Sequence, residues 1–89
     1  SHPTRPVTVR KLSYQLQREL DGLPGVIESV EIQLDILRNQ TLDPDFYQRD
    51  YSETRPVLNQ LADLERELEQ YLERWSELED MASILRTEQ

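Results

Sequence analysis

The sequence predicts an all-α fold: an antiparallel two-helix coiled-coil hairpin, with a short extra N-terminal helix extending its seam. Three observations carry this reading. One apolar ladder, Leu16, Leu20, Leu23, Ile27, Val30, Leu34 and Leu37, advances in alternating steps of four and three. A second, Val57, Leu61, Leu64, Leu68, Tyr71, Trp75, Leu78, Ala82 and Leu85, keeps the same rhythm. Such spacing holds one narrow apolar seam toward a partner helix. Between the ladders lies Leu42-Asp43-Pro44-Asp45-Phe46-Tyr47, too short to carry the second helix away from the first. A hairpin within one chain is therefore favoured over a homodimeric coiled coil, and a monomer is expected.

Residues 1–10 read as a tether. Pro3 and Pro6, with Val7, Thr8 and Val9, favour extended backbone, and Ser1-His2 reads as an expression remnant. The hairpin domain then covers 11–89, with its turn near 42–52. Helical pattern starts at Ser13, which can cap it, and runs through Tyr14 to Leu20. Asp21-Gly22 interrupts that pattern and Leu23-Pro24 restarts it, Pro24 suiting a first helical turn. Heptad phase survives the interruption, which predicts a short helix, a tight kink and a longer helix on one seam.

The longer helix is predicted over 24–40, about 25 Å, and the last over 53–86, about 50 Å. The short N-terminal helix must then face the far half of the last one. Counting outward from the turn pairs Leu34 with Leu64, Val30 with Leu68 and Ile27 with Tyr71. It continues with Leu23 near Trp75, Leu20 near Leu78 and Leu16 near Ala82, which makes Tyr71 and Trp75 core residues. At the turn, Asp43 caps a bend begun by Pro44, and Phe46 and Tyr47 fold back over the helix ends, joined by Tyr51. Ser52 or Thr54 caps the last helix, with Pro56 inside its first turn.

At 89 residues the chain is one domain at most, and no apolar run approaches the roughly 20 residues that span a bilayer. It has no Cys, so neither a disulfide framework nor a thiolate metal site can form. His2 is the only histidine, which removes Ser-His-Asp and Cys-His catalysis. Gly22 and Gly25 are the only glycines and cannot cradle a phosphate. Glu65/Glu69 and Glu69/Glu73 sit at i,i+4 but read as a solvated flank, so no metal and no catalytic residue is assigned. An enzyme is the poorest reading of this chain.

The net charge of −8 hides an asymmetry: every charged residue before Glu19 is basic, namely Arg5, Arg10, Lys11 and Arg18. Behind them the hairpin is acidic. A solvated linker is the simpler reading of that basic stretch; binding nonetheless follows local potential more than net charge, and those four residues are the candidate nucleic-acid contacts. Phe46, Tyr47 and Tyr51 are candidate partner contacts at the tip. Ion pairs between the helices should be few, with local pairs such as Asp35/Arg38 and Asp63/Arg66 instead.

Three stretches carry a family resemblance. Lys11-Leu12-Ser13-Tyr14, with Gln17-Arg18-Glu19-Leu20 and Leu23-Pro24, resembles the start of the C-terminal domain of Uup-type ABC-F ATPases. Asp43-Pro44-Asp45-Phe46-Tyr47 and Tyr71-Leu72-Glu73-Arg74-Trp75-Ser76-Glu77-Leu78-Glu79 resemble that domain's tip and closing helix. The resemblance implies a coiled-coil accessory domain behind two ATP-binding cassettes, in a cytoplasmic bacterial protein linked to DNA transactions and to ribosome function. It implies ATP and Mg in the cassettes, no cofactor in this domain, and DNA or ribosomal RNA as partners. The linker before the domain is commonly Lys-rich in that family, whereas this one shows Pro3, Arg5, Pro6 and Arg10-Lys11. Two functions are therefore expected: sequence-independent DNA binding for the parent, or a structural arm that positions the ATPase on the ribosome or a protein.

Overall fold

The computed structural model describes residues 11–87. Two long antiparallel helices, α1 (Tyr14–Leu42) and α2 (Tyr51–Thr87), are joined by a turn containing one short 3-10 helix, Phe46–Gln48. Arg5 and Arg10 lie outside the described residues.

Ser13 starts α1 as its composition suggests, its Oγ accepting from the Leu16 N–H at 3.2 Å. The expected kink, however, does not form. α1 runs unbroken through Asp21, Gly22 and Pro24, so the predicted N-terminal helix is the first part of one 29-residue helix. The reason lies in packing across the interruption. Pro in a helix interior costs about 3 kcal/mol and each Gly about 1. Burying Leu20 and Leu23 against Leu78 is worth about 1.5–3 kcal/mol each, and Ile27 packs on the same cluster. All three keep their common face only if helical phase is unbroken.

The turn follows local side-chain chemistry. The Asp45 N–H donates to Asp43 Oδ1 at 3.0 Å, and the Phe46 N–H to the Asp43 carbonyl at 2.9 Å. α2 begins earlier than expected, because the Asp50 carbonyl accepts from the N–H groups of Glu53 (2.8 Å) and Thr54 (3.1 Å). Ser52 and Thr54 are thus inside the helix rather than caps. Thr54 is buried, with its hydroxyl donating to the Tyr51 carbonyl at 3.4 Å. Pro56 falls in the second turn, where its missing N–H leaves the Ser52 carbonyl without that partner.

The core is a seam in two sections. Toward the turn, Val30, Leu34, Leu37 and Leu64 are buried, with Val57, Leu61, Leu68 and Tyr71 half-buried around them. Toward the other end, Leu20, Leu23 and Leu78 are buried, flanked by Leu12, Leu16, Ile27 and Ala82. Tyr71 packs on both sections and joins them. This is the register the ladders predict, with one correction. Trp75 is not interior: it belongs to neither section and is 37% exposed.

Candidate nucleic-acid interface

The antiparallel pairing brings the start of α1 and the end of α2 to one pole. Leu12 and Leu16 pack on the Leu20–Leu78 section together with Ala82, so the last turn of α2, bearing Arg86, lies beside the first turns of α1. Lys11, Arg18 and Arg86 are all exposed there. Segments 11–18 and 81–87 contain these three cations and no carboxylate. All but one of the chain's 18 acids lie between Glu19 and Asp80. Charge is thus segregated along the hairpin, with a positive pole and an acidic body.

At the pole, Arg18 Nη1 donates to the Tyr14 hydroxyl at 3.4 Å, which steadies the guanidinium without neutralising it. Among the described residues, no ion pair engages Lys11, Arg18 or Arg86. Among the described residues, each helical arginine of the body is engaged, while exposed Arg49 in the turn shows no ion pair. Arg74 binds Glu19 and Glu77, Arg38 binds Glu65 at 3.5 Å, and Arg66 binds Asp63. The Arg55 guanidinium lies over the Tyr51 ring, 5.7 Å from its centroid. Arg38 therefore reaches across to α2 rather than pairing with Asp35, while Asp63/Arg66 forms as expected. Hydrogen bonds from Arg74 hold the Glu19 carboxyl below its ordinary value of 4.5, and those to Glu19 and Glu77 raise the Arg74 guanidinium above its own.

Sequence reasoning overlooked Arg86 and the Glu19–Arg74 pair. A signal for the pair was present: Glu19 and Arg74 each directly precede a ladder residue of the same heptad position, Leu20 and Trp75. In an antiparallel hairpin such flanking positions face each other.

The tip needs a correction. Phe46 is 1% exposed and cannot meet a partner; it closes the end of the seam, with Tyr47 edge-on to it at 4.9 Å and 87°. Tyr47 (67% exposed) and Tyr51 (70%) remain on the surface, together with Leu42.

A family model described as ABC transporter C-terminal domain matches residues 11–80. The chain belongs to that family. Among relatives of this ABC transporter C-terminal domain, the ATP-binding protein Uup of Escherichia coli strain K12 is 46% identical over 69 residues. That match covers 78% of this chain and 11% of the relative. Uup of Haemophilus influenzae is 40% identical over 82 residues, covering 92% of this chain and 12% of the relative. The chain thus spans about one-ninth of the length of such curated relatives. A solved structure described as "The C-terminal domain of the Uup protein is a DNA-binding coiled coil motif" matches with a TM-score of 0.71 at 40% identity. It covers 93% of this chain and 98% of that one. The resemblance to the C-terminal domain of Uup-type proteins is borne out in both sequence and fold. The family match includes Lys11 and Arg18 and stops short of Arg86.

Proposed function

We propose that this domain is the C-terminal accessory arm of a Uup-like cytoplasmic ATP-binding protein and supplies it with sequence-independent DNA binding. The observation that carries the reading is the positive pole, where Lys11, Arg18 and Arg86 stand clear of the acidic body. Support also comes from the solved relative described as a DNA-binding coiled coil. Arg5 and Arg10 precede Lys11 in the sequence and are counted with these three as candidate contacts. The contacts are electrostatic: phosphate neutralisation with no base readout. ATP and Mg belong to the cassettes of the parent, and this domain needs neither.

Fluorescence anisotropy of a labelled DNA duplex, titrated with the domain across a salt series, tests the reading. Five phosphate contacts give a slope of about −4.5 in log K against log salt. A variant with Lys11, Arg18 and Arg86 changed to Glu should lose this binding while keeping its helicity. Equal affinity in the folded variant would reject the pole as the interface. Ribosomal RNA offers the same phosphate chemistry, and an RNA duplex in a parallel titration separates the two.

A second reading, a positioning arm, is favoured by the exposed Leu42, Tyr47 and Tyr51 at the tip. Here the parent's contact with the ribosome or a protein depends on the tip. Changing Tyr47 and Tyr51 to Ala would abolish that contact and leave DNA affinity intact.

A further inference from the structure

One long side of the hairpin carries an apolar groove that the seam leaves open. Two adjoining depressions, of about 460 and 230 Å³, meet at Leu72. Their floor is Leu68, Leu72 and Trp75 from α2, with Pro24 and Ile27 from α1. Leu72 is 42% exposed and Trp75 37%, so the floor presents apolar surface to solvent. Around the floor stand Glu28 and Glu31 on α1 and Glu65, Glu69 and Glu73 on α2. The only cation on the rim, Arg38, is held by Glu65 at 3.5 Å. The groove is thus an apolar trough between two acidic banks.

We propose that this groove is a docking site for a basic amphipathic helix of a partner protein, which would complete a three-helix bundle over the middle of the hairpin. Charge complementarity selects the occupant. Nucleic acid is repelled by the carboxylates on both banks, and a second copy of this chain would bring the same acidic banks against them. A helix with Leu-type residues at i, i+3, i+4 and i+7 and Lys or Arg beside them matches floor and banks together. The floor residues of α2 recur at steps of four and three, the ridge spacing that receives another helix. From Glu65 to Ser76 the groove runs about 16 Å, enough for roughly three turns of a partner. Trp75 lies near one end as an aromatic anchor, the residue type that most often dominates such contacts. The proposal does not rest on DNA binding, since the groove is formed from residues other than those of the pole.

Trp75 is the only tryptophan and makes the test direct. The full domain is titrated with a synthetic Leu/Lys helical peptide of about 15 residues, free of aromatics, and with a scrambled peptide of equal composition. The expected result is a saturable blue shift of Trp75 emission with the amphipathic peptide and none with the scrambled one. Changing Glu69 and Glu73 to Lys should weaken the affinity about tenfold with helicity unchanged. If that variant unfolds, Glu28→Gln with Glu31→Gln on the opposite bank provides the same reading. No shift, an equal shift with the scrambled peptide, or unaltered affinity in a folded variant would overturn the proposal. So would a blue shift that appears with protein concentration alone, together with a dimeric sedimentation mass, because the occupant would then be a second copy.

Discussion

Arg74 on α2 grips Glu19 on α1 in a two-pronged contact, Nε to Oε2 at 2.6 Å and Nη2 to Oε1 at 2.9 Å, across 55 positions of sequence. It fastens the part of α1 that was expected to be a separate helix, one residue before buried Leu20. A bidentate guanidinium–carboxylate pair carries geometric specificity as well as attraction. Glu77 also holds Arg74, at 3.2 Å, so carboxylates of both helices fix the guanidinium.

Acid should release this clasp. The Glu19 carboxyl is held below its ordinary value of 4.5 in the folded chain, so it binds its proton less readily there than when unfolded. Its contribution to stability is therefore present above that ordinary value and fades as pH falls through the lowered one. Glu19→Gln should lower the melting temperature at pH 7, and the gap from the parent chain should close in a thermal series taken down to about pH 3. A gap that stays constant over the series would mean that the pair contributes nothing through ionisation.

Truncations should rank by burial. Leu34 and Leu78 are fully buried, one in each section of the seam, and Leu→Ala at either should cost about 2–4 kcal/mol in urea unfolding. Leu68 is only half-buried, so its truncation costs less than the 2–4 kcal/mol expected of a fully enclosed seam leucine. At the tip, Phe46→Ala should cost about 3–5 kcal/mol and Tyr47→Ala about 1 or less. Equal losses for the two aromatics would contradict the assignment of Phe46 to the interior.

Gly22 and Gly25 should be replaceable with gain. Both lie in α1 with no positive φ, and a Cβ at either would meet nothing within 4 Å. Ala at each position should raise stability by about 0.5–1 kcal/mol, read from the urea midpoint. Destabilisation would show that α1 bends at these positions in solution.

Arg86, at the far end of α2, provides an independent test of the pole. Arg86→Glu should weaken DNA binding and reduce the salt slope by about 0.9, whereas Arg49→Glu at the opposite end should leave both unchanged. The check is anisotropy at matched ionic strength. A larger effect at Arg49 would move the interface to the tip.

The seam was legible because heptad spacing reports which residues share a face, and that is independent of helix boundaries. Leu34 with Leu64 and Leu20 with Leu78 follow from counting alone. Local signals failed where packing opposed them. Asp21-Gly22 and Pro24 are strong breakers in isolation, yet Leu20, Leu23 and Ile27 hold one helix across them. The sequence does not mark Asp50 as the start of α2, because Ser52 and Thr54, equally good capping types, stand closer to the apolar ladder. Nothing in the order Phe46-Tyr47 distinguishes the inner ring from the outer, which depends on how the 3-10 turn is oriented against α1. Trp75 occupies a seam position by count, but its indole borders the open groove beside Pro24.

The hairpin has a mechanical consequence. α1 begins and α2 ends at the same pole, and the tip stands about 44 Å away along the 29 residues of α1. A body attached at the pole would therefore move this element as a lever. A tilt of about 10° at the pole would sweep Tyr47 and Tyr51 through about 8 Å, more than the rise of a full helical turn. A small rotation of any body fixed at the pole would thus become a large displacement at the far end.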